Sequence, residues 1–306
     1  MLALVQLVEC ASFAFLKRSS SVSCNQIPKS SIIMKKCIFI LLLSATVGQL
    51  NAQSGYKPKS SELGLHLGYS TYLGDLQPKD FTQSQPGVAI GASLRKYFTD
   101  RISAKFFANF TRLSANDNRY GENYRYRNLS FRNDVKELGF QAEISMFRFD
   151  NTNLKNADNK DYYNFTPYVF AGVNMFYSNP KALYQDQWVE LQPLTTEGVS
   201  YGKVGVAIPF GLGFKYQTNS RMVVGVEFGL RKTFTDYLDD VSNSYPDMAK
   251  LKADKGQQAI DLSWRADEKN SNAKTTLPQT GTRRGNPNQK DWYTLAQFVM
   301  SYNLKK

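Results

Sequence analysis

The 306-residue length by itself would suit one or two soluble domains. The net charge of +12 raises nucleic acid as a partner, but no helix-turn-helix, zinc-finger or RNA-recognition pattern is present and the basic residues are dispersed, which excludes that class. All three cysteines (Cys10, Cys24, Cys37) lie before residue 53, so disulfide and thiol chemistry are excluded from the rest of the chain.

The first segment with a clear pattern is 34–52. Lys35 and Lys36 precede an apolar run, Cys37 to Gly48, too short to span a bilayer as a helix, and Leu50-Asn51-Ala52 supplies a small-residue cleavage pattern. This reads as a signal peptide, with Met34 as the true start and residues 1–33 as a mis-assigned upstream extension. A longer leader or a membrane anchor is the rival reading of 1–33; Glu9 and the short apolar length count against a spanning helix. The working domain is expected over 53–306. It carries 33 basic and 25 acidic residues, a net +8, for which anionic lipid head groups or acidic partners are the expected attractors.

From residue 63 onward, apolar and non-apolar residues alternate with period two in eight segments. Strands are expected near 63–73, 88–98, 102–113, 135–149, 165–177, 203–217, 222–234 and 292–304. One face is apolar throughout, for example Leu63, Leu65, Leu67 and Tyr69 in the first and Val204, Val206, Ile208, Phe210, Leu212 and Phe214 in the sixth. Pro209 interrupts the sixth strand, where a ladder donor is normally needed, so a bulge or kink is expected there.

A soluble β-sandwich also alternates, but three features favour a closed barrel in lipid. The non-apolar face is rich in glycine (Gly64, Gly91, Gly139, Gly211, Gly213 and Gly229 among others), as a narrow lumen requires. That face also carries Arg95, Lys105, Glu137, Glu143, Lys215, Glu227 and Arg231, which can pair across a lumen. On the apolar face, charges (Lys96, Arg112, Arg148, Lys232) fall only near strand ends, where they cost far less than the roughly 2–4 kcal/mol of bilayer mid-depth. Finally, short connections alternate with long ones (74–86, 114–132, 178–202, 236–289), with 150–164 intermediate. The expected fold is therefore all-β: a transmembrane antiparallel up-and-down barrel of eight strands, outer-membrane type, closed because lipid satisfies no exposed backbone groups.

Candidate sites are few. Asp236, Asp239 and Asp240 could hold calcium, but their spacing is not an EF-hand's, and a solvated or Arg-paired acidic loop is the better reading. Tyr120, Tyr124 and Tyr126 interleave with Arg119, Arg125 and Arg127; outer-loop packing is preferred over sugar or phosphate binding. His66, the sole histidine, is expected to face the lumen in a structural hydrogen bond, with Ser70 too far along the strand for direct contact. No catalytic, cofactor-binding or metal-binding residue is assigned, and no enzyme activity is expected. Within 236–289, a short helix interrupted at Gly256 is expected between Pro246 and Glu268, followed by a polar, mobile stretch to Lys290.

Several segments carry a resemblance: GDLQP (74–78), RNLSFRNDVKEL (127–138), LQPLTTEG (191–198), AIPFGLGFKY (207–216), RKTFTDYLDDVS (231–242) and RGNPNQKDWY (284–293), with FTPYVFAG and YSNPKA between. Together they resemble the DUF6089 family, which includes PorG-like outer-membrane proteins of the type IX secretion system in Bacteroidota. The resemblance implies a non-enzymatic barrel of the cell outer membrane, reached through a cleaved signal peptide. It implies a barrel linked to periplasmic secretion-ring proteins, and with the outer-membrane lipid expected around the wall, docking is expected at the 150–164 turn, at 53–61 and at the other short turns. A general surface barrel for adhesion or envelope integrity, working through loops 114–132 and 236–289, is the alternative.

Overall fold

The computed structural model describes residues 60–77, 85–119, 126–149, 163–219, 221–269 and 277–304. The expected segments 1–33 and 34–52 lie outside these residues, as do 53–59 and most of the 150–164 turn.

Eight long strands form the barrel: β1 (Ser61–Leu73), β2 (Gly87–Tyr97), β3 (Ile102–Asn116), β4 (Ser130–Ser145), β5 (Phe165–Tyr177), β8 (Val204–Gln217), β9 (Met222–Thr233) and β10 (Trp292–Asn303). Each pairs antiparallel with its neighbours in the order β3-β2-β1-β10-β9-β8-β5-β4, and the β3–β4 pairing closes the ring. Closure leaves none of these eight strands as a free edge. The expected inside–outside alternation runs along all eight, interrupted at Ala104 of β3 and Thr294 of β10, which are buried beside their inward-facing neighbours. Leu65 and Leu67 stay 61% and 62% exposed, whereas Arg95, Lys105, Glu143 and Arg231 are at most 2% exposed. In water this exposure pattern would be inverted; it is stable only with hydrocarbon against the outer wall.

The short connections sit on one rim. Thr99 Oγ1 accepts from the N–H groups of Arg101 and Ile102 at 3.2 and 2.9 Å, and Asn219 Oδ1 accepts from those of Arg221 and Met222, both at 2.9 Å. Such side-chain-to-backbone bonds close tight turns. Both ends of the barrel lie on this rim, since Tyr97 N donates to Ser60 O and Leu304 N donates to Ser61 O.

The long-loop rim differs from expectation in three ways. β3 and β4 extend past residue 113 and start before residue 135, so the open loop expected at 114–132 shrinks to 117–129. The 178–202 connection contains a hairpin, β6 (Pro180–Tyr184) and β7 (Gln187–Glu190), that adds to β4 through Arg132–Lys181 and Asn133–Pro180. An open-edged hairpin is tolerated there because the chain has left the bilayer and water can hydrogen-bond its unpaired backbone groups. The segment after residue 269, expected to be mobile, is anchored at one point where it is described: Arg284 and Gly285 are buried and Arg283 bridges to Ser244, while 279–283 and 287–290 stay exposed. The helix interrupted at Gly256 is present as α1 (Met248–Lys255) and α2 (Gln257–Ser263), with Asp247 capping α1 by accepting from Ala249 and Lys250 N–H.

Of the bulge or kink expected at Pro209, no bulge occurs; the ladder is interrupted instead. The β5–β8 register is identical on either side of the pairs opposite Gly172 and Val173, which alone are missing, and Pro209 still pairs with Arg231 on β9. The missing N–H points toward β5, so the loss is confined to one side of the strand.

Candidate functional site

The lumen is filled, and its contents follow from the alternation. Large rings from β5 lie across glycines of β8: a methyl at Gly205 would come 2.5 Å from Phe176 Cζ, and one at Gly213 would run into the Tyr168 ring. Glycine is needed there because the ring occupies the place of a side chain. Beside the rings runs an ion-pair network. Arg95 donates to Glu62 and Glu143, each at 2.8 Å; Lys105 lies 2.5 Å from Glu227 and 3.8 Å from Glu143; Lys215 is 4.0 Å from Glu143; Arg231 is 3.5 Å from Glu137. Glu62, one residue before the expected start of strand one, was not anticipated as a member. The space bounded by Arg95, Tyr168 and Lys215 amounts to about 10 Å³, room for roughly one water. Above it, Tyr72, Leu113, Phe131, Phe176, Leu238 and Tyr293 form an apolar core that shuts the long-loop mouth. A lumen packed this way offers no open aqueous path through the described residues.

Over that mouth sits a second buried charge cluster, and the sequence segments with the family resemblance converge on it. Arg284 donates to Glu197 at 3.0 Å and to the Asp240 carbonyl at 2.6 Å. Glu197 also accepts from the N–H groups of Ser242 and Asn243 at 3.0 and 2.9 Å. Asp240 accepts from the Thr196 hydroxyl and, at 2.6 Å, from the Tyr201 hydroxyl. Arg127 binds Asp117 with two nitrogens at 2.8 Å and reaches the carbonyls of Arg284 and Asp75 at 2.6 and 3.1 Å. Thus GDLQP, RNLSFRND, LQPLTTEG, TDYLDD and RGNP, distant in sequence, lock one another into a fixed cap.

Burial pushes the Asp240 and Asp236 carboxyls up to about 6, against the pull of Arg284 on the first and the Ser242 hydroxyl bond on the second. Asp239 and Asp291 are raised further by burial and by neighbouring carboxylates, Asp75 facing the first and Asp239 the second. The Tyr72 hydroxyl contacts Asp239 at 2.6 Å and Asp291 at 2.7 Å. One hydroxyl has one proton to donate, so satisfying both contacts requires a proton on one of the two carboxyls.

The sequence-level candidates now have places. Asp236, Asp239 and Asp240 are buried, not solvated, and each is held by hydroxyl, backbone or Arg284 donors; the described residues contain no group of three or more His, Cys, Asp or Glu suited to a metal. Tyr126 packs edge-on against Trp264 and Arg127 joins the cap, as loop packing predicts. Tyr120, Tyr124 and Arg125 lie outside the described residues. His66 is buried in the lumen with Nε2 2.7 Å from Ser93 Oγ; Ser70 instead donates to the Arg112 carbonyl. The His66–Ser93 pair has no carboxylate bonded to Nδ1 among the described residues, so it lacks the geometry of a nucleophile–base–acid set. Arg284, Glu197, Asp117 and Asp291 carried no assigned role in the sequence. The only signal for Arg284, Glu197 and Asp291 was their place inside the resemblance segments; Asp117 lay outside them.

At the short-turn rim, Phe147, Tyr163 and Phe165 form an exposed aromatic group with centroid separations of 5.0 to 5.9 Å. It flanks the longest connection on that rim.

Comparison with solved structures gives small outer-membrane barrels. The N-terminal β-barrel domain of Pseudomonas aeruginosa OprF is 10% identical, covering 81% of this chain and 100% of that one at a TM-score of 0.35. Ail, the attachment invasion locus protein of Yersinia pestis, is 7% identical (81% and 100% covered, TM-score 0.38), and P. aeruginosa OprG is 9% identical (81% and 98%, TM-score 0.39). The closed barrel follows from the chain's own strand pairing, independent of these likenesses. No curated protein sequence matches the chain. Residues 35–258 match the family described as Domain of unknown function (DUF6089), which spans well over half of the chain, and the protein belongs to that family.

Proposed function

We propose that this protein is a non-enzymatic outer-membrane component or envelope anchor of the type IX protein secretion machinery, docking periplasmic secretion-ring proteins through its short-turn rim. The observation that carries this reading is the closed interior. With the lumen filled and the mouth sealed, function falls to the outer surfaces. Of these, the short-turn rim bears an exposed aromatic group beside its longest connection. Aromatic side chains supply much of the binding energy at protein interfaces. The secretion assignment is what the DUF6089 resemblance implies, and the signal peptide expected at 34–52 would deliver the chain to the periplasm for insertion.

The test is photo-crosslinking from Phe147 and Tyr163 in living cells. Periplasmic ring proteins are the expected products, and deletion of the gene is expected to abolish secretion. Recovery of no ring component together with intact secretion after deletion would refute the proposal. A second reading, recognition at the cell surface, is favoured by the ordered cap, which presents α1 and α2 on a fixed base. Replacing 246–269 by a short linker would abolish adhesion or envelope integrity on that reading and leave secretion untouched.

A further inference from the structure

The lipid-facing wall carries a groove of about 990 Å³ that crosses β10, β1, β2, β3 and β4. Its floor lies at Ala92 and Ala108, which face each other across β2 and β3, and Leu65, Ile90 and Phe110 stand beside them. Lys136 closes one end.

The groove is inclined. Lys136 pairs with Phe110, Phe110 with Ile90, Ile90 with Leu67 and Leu67 with Phe298. From the short-turn ends of their strands, Lys136 is nine residues from Ser145, Phe110 eight from Ile102, Ile90 seven from Tyr97, Leu67 six from Ser61 and Phe298 five from Asn303. Each step across the sheet therefore descends by one residue, about 3.3 Å of strand. Nine residues on a strand tilted by about 40° rise some 23 Å, close to the ~25 Å height of an outer-membrane apolar band. Lys136 thus stands at the long-loop boundary of the bilayer, and the groove runs from it toward the membrane middle.

The same boundary is cationic. Arg112 and Arg132 share a single carboxylate, Asp134, at 2.7 and 3.2 Å, which leaves a surplus of positive charge. Lys136 has no ion-pair partner among the described residues and is exposed. A lysine at this depth by itself would only snorkel to water. An uncompensated cation at the head of an apolar trough matches a ligand that is anionic at one end and hydrocarbon at the other.

We propose that this groove holds one phosphate-bearing lipid of the outer leaflet, its phosphate against Lys136 and Arg112 and an acyl chain over Ala92 and Ala108. The site is on the wall, away from the short-turn rim, and does not depend on which proteins dock there. It does rest on the long-loop rim facing outward.

The protein purified from membranes and placed in phosphatidylcholine nanodiscs doped with diphosphoryl lipid A provides the test, with native mass spectrometry counting retained lipid. The wild-type barrel is expected to keep one lipid A, and to keep lipid A stripped of its phosphates no better than phosphatidylcholine. Lys136→Gln and Ala108→Leu, one removing charge and one filling the floor, are each expected to lower occupancy about fivefold. Lys96→Gln, an outward lysine at the opposite rim, is expected to leave it unchanged. Both outward positions are remote from the lumen, and either variant decides the matter if the other fails to fold. Unchanged occupancy in the folded variants overturns the proposal. So does loss of a second barrel copy upon Ala108→Leu in place of lipid, since the groove would then be a protein interface.

Discussion

Replacing Glu143 by Gln removes one negative charge from the centre of the lumen while keeping the side-chain shape. Glu143 is fully buried and accepts from Arg95 Nε at 2.8 Å, Arg95 Nη2 at 3.3 Å, Ser103 Oγ at 3.0 Å and Gln141 Nε2 at 3.3 Å, with Lys105 at 3.8 Å and Lys215 at 4.0 Å. In this group Arg95, Lys105 and Lys215 face Glu62, Glu143 and Glu227, so the substitution leaves three cations against two carboxylates. Breaking a buried pair by removing one partner costs about 3–5 kcal/mol. With a urea dependence of about 1–3 kcal/mol per molar, the unfolding midpoint is expected to fall by roughly 1–5 M. The assay is equilibrium urea unfolding in lipid vesicles, followed by tryptophan fluorescence. Adding Lys215→Met should restore about 1 kcal/mol or more, because the remaining cations and carboxylates again balance and the two sites are coupled. A Glu143→Gln variant within about 0.5 kcal/mol of wild type would refute the reasoning, since it would mean that lumen water screens these charges.

Arg284→Ala should strand Glu197 and Asp240 in the cap, loosening it by about 3–5 kcal/mol while the barrel stays folded; limited proteolysis should cut within 236–291 and leave the strands intact. Because Asp240 and Asp236 have folded-state values near 6, above the ordinary 3.8, the cap should lose stability as pH rises from about 4 through 6 and be tightest when they are protonated. Hydrogen exchange of 236–245, corrected for intrinsic rate, should show stronger protection at pH 5 than at pH 7.5; the reverse order would contradict the burial argument. Gly213→Val must displace the Tyr168 ring, a packing conflict worth about 1–3 kcal/mol, readable as a lowered unfolding midpoint.

The alternation of Leu63, Leu65 and Leu67 with Gly64, His66 and Gly68 fixed which face of β1 meets lipid, and the same arithmetic worked along all eight barrel strands. Strand faces are a local property, set by the two-residue repeat of an extended chain, so no distant contact was needed to read them. Lumen charges were legible for the same reason. Pro209 shows the limit: the sequence marked a missing donor, but only the neighbouring strands decided that one ladder gap, not a bulge, would absorb it. The cap was illegible. Asp240, Glu197 and Arg284 meet from two connections, with positions up to 87 residues apart, and nothing in the spacing of TDYLDD reveals that its carboxylates are sheltered. Their environment depends on how loops outside the bilayer fold over the barrel mouth, where neither period nor lipid constrains the chain and only tertiary contact does.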